Sequence, residues 1–143
     1  MKVSAKAEYA CVALVQLALR GSQDAPVTLK ALGEEYGISP AFLTQIFLQL
    51  KSAGIVRSVR GPAGGYQLAR DPADISIGEV IECIDGPPAA SSALTSHRRQ
   101  PLVIALQALW QQVNQAQHDI LERTTLADLV RQTHQAGVGF YQI

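Results

Sequence analysis

The chain has 143 residues, of which 48% are hydrophobic and 17% are charged, and its formal net charge is zero. This composition excludes an intrinsically disordered chain, and no uninterrupted apolar run reaches the roughly 18 to 20 residues that span a bilayer. The two cysteines, Cys11 and Cys83, are too few for a disulfide framework or for a four-thiolate metal site.

Charge is distributed unevenly along the chain. Residues 1–70 carry eight Lys or Arg against four Asp or Glu, a net +4, and residues 71–143 carry four against eight, a net −4. A basic first half favours a polyanion as partner, with the acidic half facing away from it. Many neutral globular proteins show such an imbalance, so it indicates nucleic-acid binding only together with other signals.

The first predicted element is a helix that Ser4 caps and that runs to about Arg20. Its start is basic and then apolar, as in a signal peptide. However, Glu8 and Gln16 interrupt the apolar stretch, and no small-residue cleavage pattern follows it. We therefore expect the first helix of a cytoplasmic protein, followed by a loop over residues 21–26.

Two helices joined by a short turn come next. Thr28 caps a helix of sequence LKALGEEY, which stops at Gly37. Ser39 and Pro40 then open a third helix, AFLTQIFLQLKSA, which ends at Gly54. Such a pair is a helix-turn-helix candidate, although helix pairs of this kind are also common in protein cores.

A hairpin is predicted directly after this pair, in the position of a wing. IVRSVR and YQLAR read as strands around the glycine-rich tip GPAGG. Such glycines let a backbone approach a ligand closely and expose N–H groups. The guanidinium of Arg60 beside them can enter a narrow minor groove or clamp a phosphate. The alternative is a solvent turn with Arg57 and Arg60 merely solvated, and we favour Arg60 for the groove because the two need not share a face.

The fourth helix is predicted over about residues 77–85. Ser76 and Glu79 form a capping box, and Ile75 with Val80 can pack around it as a hydrophobic staple. Residues 86–100 have loop composition without clear periodicity.

A long helix then runs from Pro101 to about Arg123. Apolar residues along it repeat at heptad spacing and predict a dimerisation seam. They are Leu102, Leu106, Leu109, Val113, Ala116 and Ile120. Thr125 and Asp128 cap a last short helix, ADLVRQTHQ, which we expect to end near Gly137.

These motifs resemble those of the IscR/NsrR/CymR family of bacterial winged helix-turn-helix transcription regulators. The resemblance lies in GIS at 37–39, RGPAGGY at 60–66 and ISIGEVI at 75–81, and in the first-helix sequence SAKAEYACVALVQLAL. It is specific over about residues 1–86 and looser from residue 101 onward, where ALW and TTLADLV match.

The resemblance implies a mainly helical fold with a small β-hairpin. Residues 1–85 would form the winged helix-turn-helix domain, and residues 86–100 would occupy the position of the family's cluster-binding loop. Residues 101–143 would form the dimerisation helix and the C-terminal helix. The function implied is sequence-specific DNA binding by a homodimer on a palindromic operator, as a transcription regulator and most simply a repressor. The third helix would enter the major groove and the wing the adjacent minor groove.

The resemblance also implies which residues contact DNA. Gln45 can bond an adenine, while Thr44 and Ala41 suit a thymine methyl group; the alternative is that these are solvated helix residues. The full predicted set is Lys6, Thr28, Ser39, Pro40, Ala41, Thr44, Gln45, Lys51, Arg57, Arg60, Gly61, Gly64, Gly65 and Tyr66. Within it, Lys6, Lys51 and the helix N-termini at Thr28 and Ser39 are assigned to phosphates.

The chain departs from the family in one respect. Many relatives hold an iron–sulfur cluster with three cysteines in the loop before the long helix, whereas residues 86–101 contain none, and Gln107 lies near a histidine position of some relatives. We therefore expect no cluster and no other cofactor or metal. Cys11 and Cys83 are interpreted as small core residues, with a metal site shared by Glu8 and Cys11 across a dimer as the alternative.

The remaining alternatives concern partners. His97, Arg98 and Arg99 form a basic cluster in the loop that could bind an anionic effector or an acidic partner segment, or could simply be solvated. An enzyme is not expected, because no GxxxxGK, GxGxxG or nucleophile-and-base motif is present. The rival function is a winged-helix protein-docking module regulated through a partner protein; the wing arginine beside glycines favours DNA instead. No membrane interaction is expected.

Overall fold

A computed structural model describes residues 2–20, 25–88 and 93–141. In chain order its elements are α1 (Ala5–Arg20), α2 (Leu29–Glu34), α3 (Pro40–Ser52), β1 (Val56–Val59), β2 (Gly65–Leu68), α4 (Ile77–Asp85), α5 (Pro101–Arg123) and α6 (Leu126–Tyr141), with short 3-10 turns at Pro72–Asp74 and Thr95–His97. The predicted mainly helical fold with a single small hairpin is confirmed over these residues.

The core forms around α1, which packs against α2, α3, α4, α6 and β2. One face of α1 is lined by Ala7, Ala10 and Ala13, all fully buried, which let neighbouring helices approach closely. Larger side chains complete the interior, and each fully buried one contributes about 1.5–3 kcal/mol relative to exposure. From α3 these are Leu43, Ile46, Phe47 and Leu50.

The predicted helix caps are present. The hydroxyls of Ser4, Thr28 and Ser39 accept hydrogen bonds from the backbone N–H groups three residues later, at 3.0, 3.1 and 3.2 Å. Ser76 caps α4 in the same way, at 3.0 Å from Glu79 N. The Glu79 carboxylate pairs with Arg70 and does not bond Ser76 N, so only half of the predicted capping box forms.

The last helix is longer than predicted. Thr125 and Asp128 cap it reciprocally, at 3.1 and 2.9 Å. It continues past Gly137 to Tyr141. A glycine inside a helix costs only about 1 kcal/mol relative to alanine, so Gly137 alone does not end it.

Helix α6 returns from α5 to the core. Ile77 N donates to Thr124 O at 2.8 Å, and Leu126 N donates to Ile75 O at 3.0 Å, so the start of α6 is bonded to the start of α4. Leu126 and Ile75 are both fully buried in the same cluster as the α3 side chains. The helix predicted to belong with the dimer arm therefore contributes to the core of the winged-helix half.

The hairpin has a third partner that the sequence did not indicate. β1 and β2 are antiparallel, with Val56 opposite Leu68 and Val59 opposite Gly65. Val27, just before α2, exchanges two hydrogen bonds with Tyr66, at 2.9 and 2.8 Å. A single paired residue has no periodicity, which is why only a loop was predicted before Thr28.

Candidate nucleic-acid interface

The turn between α2 and α3 depends on two glycines. α2 ends at Glu34, earlier than predicted, and Gly37 follows in the turn with a φ of +65°, a left-handed conformation that favours glycine. Ile38 N donates to Gly33 O at 3.0 Å. A Cβ atom on Gly33 would lie 2.3 Å from the Ile38 carbonyl oxygen, so α2 can approach the turn this closely only without a side chain there. These contacts set the angle at which α3 leaves the turn.

One face of α3 is buried and the opposite face is exposed. Pro40, Ala41, Thr44 and Gln45, all predicted to contact DNA, lie on the exposed side. Leu48 lies on the same side with 56% of its surface exposed. Leu48 is absent from the predicted DNA contacts, since an apolar residue in an amphipathic helix is ordinarily assigned to the core.

The polar groups on this face differ in what they can still bond. The Ser39 hydroxyl oxygen accepts from Phe42 N, and the Thr44 hydroxyl donates to Pro40 O at 2.8 Å. The Gln45 side chain is exposed and has no hydrogen-bond partner among the described residues. Its amide therefore keeps the donor and acceptor that recognition of an adenine edge requires.

The predicted phosphate contacts lie at separate places. Lys51 is exposed in the last turn of α3, and Lys6 is half-buried in α1. Thr28 lies against the base of the wing, since a Cβ atom on Gly65 would lie 3.0 Å from Thr28 N. These positions do not test the predicted phosphate contacts, which therefore stay predictions.

The side chains of the two wing arginines differ in whether they are already hydrogen-bonded within the protein. Arg57 Nε donates to Gln67 Oε1 at 3.2 Å, across the hairpin from it. Arg60 is exposed beside the tip and has neither a hydrogen bond nor an ion pair within the described part of the chain. Arg60 thus has its five donors free for a ligand, which is consistent with preferring it over Arg57.

Packing within the chain explains Gly64 and Gly65 of the wing, whereas Gly61 has no atom near its Cβ position and instead adopts a φ of +116°. Gly64 N donates to Gly61 O at 2.9 Å, so the expectation that Gly64 exposes its N–H group is wrong. A Cβ atom would lie 2.4 Å from Val59 O if placed on Gly64, and 2.5 Å from Val27 O if placed on Gly65. The close approach that these two glycines permit is to the protein's own backbone.

Tyr66 packs under the wing. Its half-buried ring meets the ring of Phe47 edge-on, with the centroids 4.9 Å apart. Phe47 is fully buried in α3. The structure therefore gives Tyr66 a packing role between the wing and α3, and its assignment as a DNA contact stays untested.

Neither cysteine is poised to react. Burial, reinforced by Glu8 and Asp85, raises the pKa of Cys11 to about 11. Burial and Glu79 raise the pKa of Cys83, whose thiol donates to Gln49 O at 3.5 Å. Both side chains pack against the core. Among the described residues, no three His, Cys, Asp or Glu side chains are grouped so that they could hold a metal ion.

Carboxylates from the second half of the chain collect in one open cleft. It measures about 580 Å³ and lies between the end of α3, the start of α4 and the end of α5. Asp74, Glu79, Glu82 and Glu122 line it. The acidic half predicted from the sequence thus forms an acidic surface, which a DNA phosphate would avoid.

The predicted seam on α5 is largely exposed. Leu102 is 79% exposed, and Leu109, Val113, Ala116 and Ile120 are also exposed, while Leu106 is half-buried. Ile104 and Trp110 add further exposed apolar surface to the same helix. Before it, His97, Arg98 and Arg99 are exposed, and residues 89–92 of that loop lie outside the described residues. No helix in the described ranges is long and apolar enough to cross a membrane.

Comparison with known proteins gives a consistent result. The family model Rrf2, described as an iron-dependent transcriptional regulator, matches residues 3–132. The transcriptional regulator IscR of Photobacterium profundum is 39% identical over 132 residues, which are 92% of this chain and 76% of the relative.

Solved structures agree with this match. CymR, the global cysteine regulator of B. subtilis, superposes with a TM-score of 0.82 at 31% identity, covering 92% of this chain and 97% of CymR. T. potens IscR gives a TM-score of 0.75 at 34% identity, covering 95% and 90% of the two chains.

Proposed function

The chain belongs to the Rrf2 family of transcriptional regulators, and from this membership we propose that it represses transcription as a homodimer bound to a palindromic operator. It is a DNA-binding regulator and not an enzyme. The repressor role, the dimer, the operator and a cytoplasmic location are the proposed part.

The proposal rests on two side chains whose hydrogen-bond donors are unused, one on α3 and one on the wing. The side chains of Gln45 on α3 and Arg60 on the wing are both exposed and form no hydrogen bond or ion pair within the described residues. Gln45 suits an adenine edge in the major groove, and Arg60 suits a narrow minor groove or a phosphate. We assign α3 to the major groove and the wing to the adjacent minor groove on this basis.

The exposed seam supports the dimer. Leu109, Val113 and Ile120 would remain in water in a single protomer, and apolar surface of this extent marks an interaction site. Their heptad spacing is that of a helix pairing with a second copy. We propose that paired α5 helices set the separation of two recognition helices at about 34 Å, one turn of DNA.

An iron–sulfur cluster does not fit the donor set of this chain. Such clusters are held by thiolates, and residues 86–101 contain no cysteine. The raised pKa values of Cys11 and Cys83 keep both thiols protonated near neutral pH. We therefore propose regulation without a cluster, with the exposed His97, Arg98 and Arg99 as the site at which an anionic effector or a partner protein would act.

The proposal is tested by incubating the purified protein with sheared genomic DNA from its source and sequencing the retained fragments. A shared palindrome is the expected result. Binding should also weaken steeply with salt, by about 0.9 logarithmic units per logarithmic unit of salt for each phosphate neutralised. A protein-docking module would retain no preferred fragment, and that result would contradict DNA recognition by this wing and helix.

A further inference from the structure

Leu48 stands out among the large apolar residues of α3. Leu43, Ile46, Phe47 and Leu50 are fully buried, whereas Leu48 is 56% exposed. Phe42, on the flank of the helix, is half-buried and its ring contacts that of Tyr9 edge-on, with centroids 5.8 Å apart. Isolated exposed leucines are common on protein surfaces, so the exposure of Leu48 is informative only together with its position.

Leu48 lies in the middle of the α3 face that is assigned to the major groove. Ala41, Thr44 and Leu48 are spaced by three and four residues, which places them side by side on one face of a helix. The Thr44 hydroxyl donates its hydrogen bond to Pro40 O. This side chain therefore offers DNA a methyl group and acceptor lone pairs but no free donor. The three residues form a track of methyl groups along the helix, which we call the methyl track.

The major groove offers one apolar group that such a track can detect. Thymine carries a methyl group at C5, and cytosine carries hydrogen there. Contact between Leu48 and this methyl group removes apolar surface of both partners from water, which a polar side chain in its place would not achieve. Gln45, adjacent to the track, can bond only base edges that supply a donor or an acceptor, and so it reads different atoms.

We infer that Leu48 is a specificity-determining residue that, with Ala41 and Thr44, selects thymine through its C5 methyl group. The inference rests on the proposed function, since it specifies what the α3 face reads. It predicts that each half-site contains a thymine, or a 5-methylcytosine in its place, under Leu48.

The test begins with duplexes selected from a random pool by the full-length protein. Each thymine of the selected duplex is then replaced in turn by deoxyuridine, which differs from thymidine only by lacking the C5 methyl group. At the position under Leu48 we expect a loss of about fourfold in affinity per half-site, the effect of one buried methyl-sized group. Leu48→Ala should bind the thymine duplex more weakly and lose its sensitivity to the same replacement.

Lys51→Ala is the matched control. It lies on the same helix but is assigned to a phosphate, so it should weaken binding to both duplexes equally and preserve their ratio. Leu48 is exposed, and the far-ultraviolet circular dichroism of Leu48→Ala should match that of the parent. If no replacement by deoxyuridine matters, or if Leu48→Ala keeps the full ratio, the role of Leu48 is overturned while DNA binding stands. If no duplex is selected from the pool, the proposed function and this inference both fall.

Discussion

The ring of Tyr66 in the wing lies edge-on against the ring of Phe47 in α3, with centroids 4.9 Å apart and ring planes 61° apart. Tyr66 also exchanges two backbone hydrogen bonds with Val27, directly before α2. The wing, the start of α2 and the buried face of α3 therefore meet at one residue. This packing holds the wing at a set distance from α3, and we propose that these two elements enter adjacent grooves of DNA.

Replacing this ring should weaken both stability and DNA binding. Tyr66→Leu keeps an apolar side chain but loses the edge-on contact, which is worth about 0.5–1.5 kcal/mol beyond its buried area. We expect a loss of about 1 kcal/mol in the free energy of unfolding by urea and a lower operator affinity. Tyr36→Leu is the control, since Tyr36 is 54% exposed and should change neither quantity. An unchanged affinity in Tyr66→Leu would show that the wing is positioned without this contact.

The two wing arginines should behave differently. Arg60→Ala should lower operator affinity by about 1–3 kcal/mol, with no loss of thermal stability, because the free guanidinium is assigned to DNA. Arg57→Ala should lower it less, because Arg57 is engaged by Gln67. Fluorescence anisotropy with labelled operator at several salt concentrations measures both losses. Equal losses in the two variants would contradict the preference for Arg60.

A charge in the seam should separate the dimer. Leu109→Glu places a carboxylate in the apolar stripe of α5, and a symmetric pair would bury one such unpaired charge from each protomer. Analytical ultracentrifugation should then report a monomer that still shows helical circular dichroism. Gln111→Glu, an exposed position off the stripe, should leave the dimer intact. A dimer that survives Leu109→Glu would rule out α5 as its interface.

Two glycine-to-alanine substitutions should change the free energy of unfolding in opposite directions. In Gly33→Ala the new Cβ would lie 2.3 Å from a backbone oxygen, an overpacking that costs about 1–3 kcal/mol. In Gly137→Ala nothing lies within 4 Å of the new atom, and the helix interior gains about 0.5–1 kcal/mol. Urea unfolding of both proteins gives the comparison. A neutral Gly33→Ala would mean that the turn before α3 can relax away from α2.

The Cys11 thiol should give a defined pH dependence. Its pKa of about 11 in the folded protein lies above the ordinary value of 9.0, so the folded state holds the proton more tightly than the unfolded state. The resulting stability is fully present below pH 9 and is lost as pH rises from about 9 to 11. Cys11→Ala should flatten this part of the stability curve. A native protein that reacts with a thiol reagent at pH 8 as fast as the unfolded chain would contradict the raised pKa.

The sequence predicts the elements wherever a local signal exists. Ser39 before Pro40 fixes the start of α3, and the Thr125–Asp128 pair fixes the start of α6, because a cap involves residues only three apart. The exposure of Gln45 follows from helical periodicity in the same way.

Features that depend on distant residues were missed. The strand partner at Val27 is determined by Tyr66, 39 residues later. The need for glycine at Gly64 comes from the return of the chain past Val59. The exposure of Leu48 could have been found by placing it on the helical wheel, where it falls opposite Ile46 and Leu50. Hydrophobicity alone assigns it to the core.

The attachment of α6 has a consequence for synthesis of the protein. Leu126 completes the core around α3, and its backbone bonds Ile75. During translation α3 and the wing leave the ribosome long before Leu126 does. They cannot reach their final packing until the last helix has followed. A nascent or truncated chain ending before Leu126 would thus lack part of the core beneath α3, and we expect it to bind DNA more weakly than the finished protein.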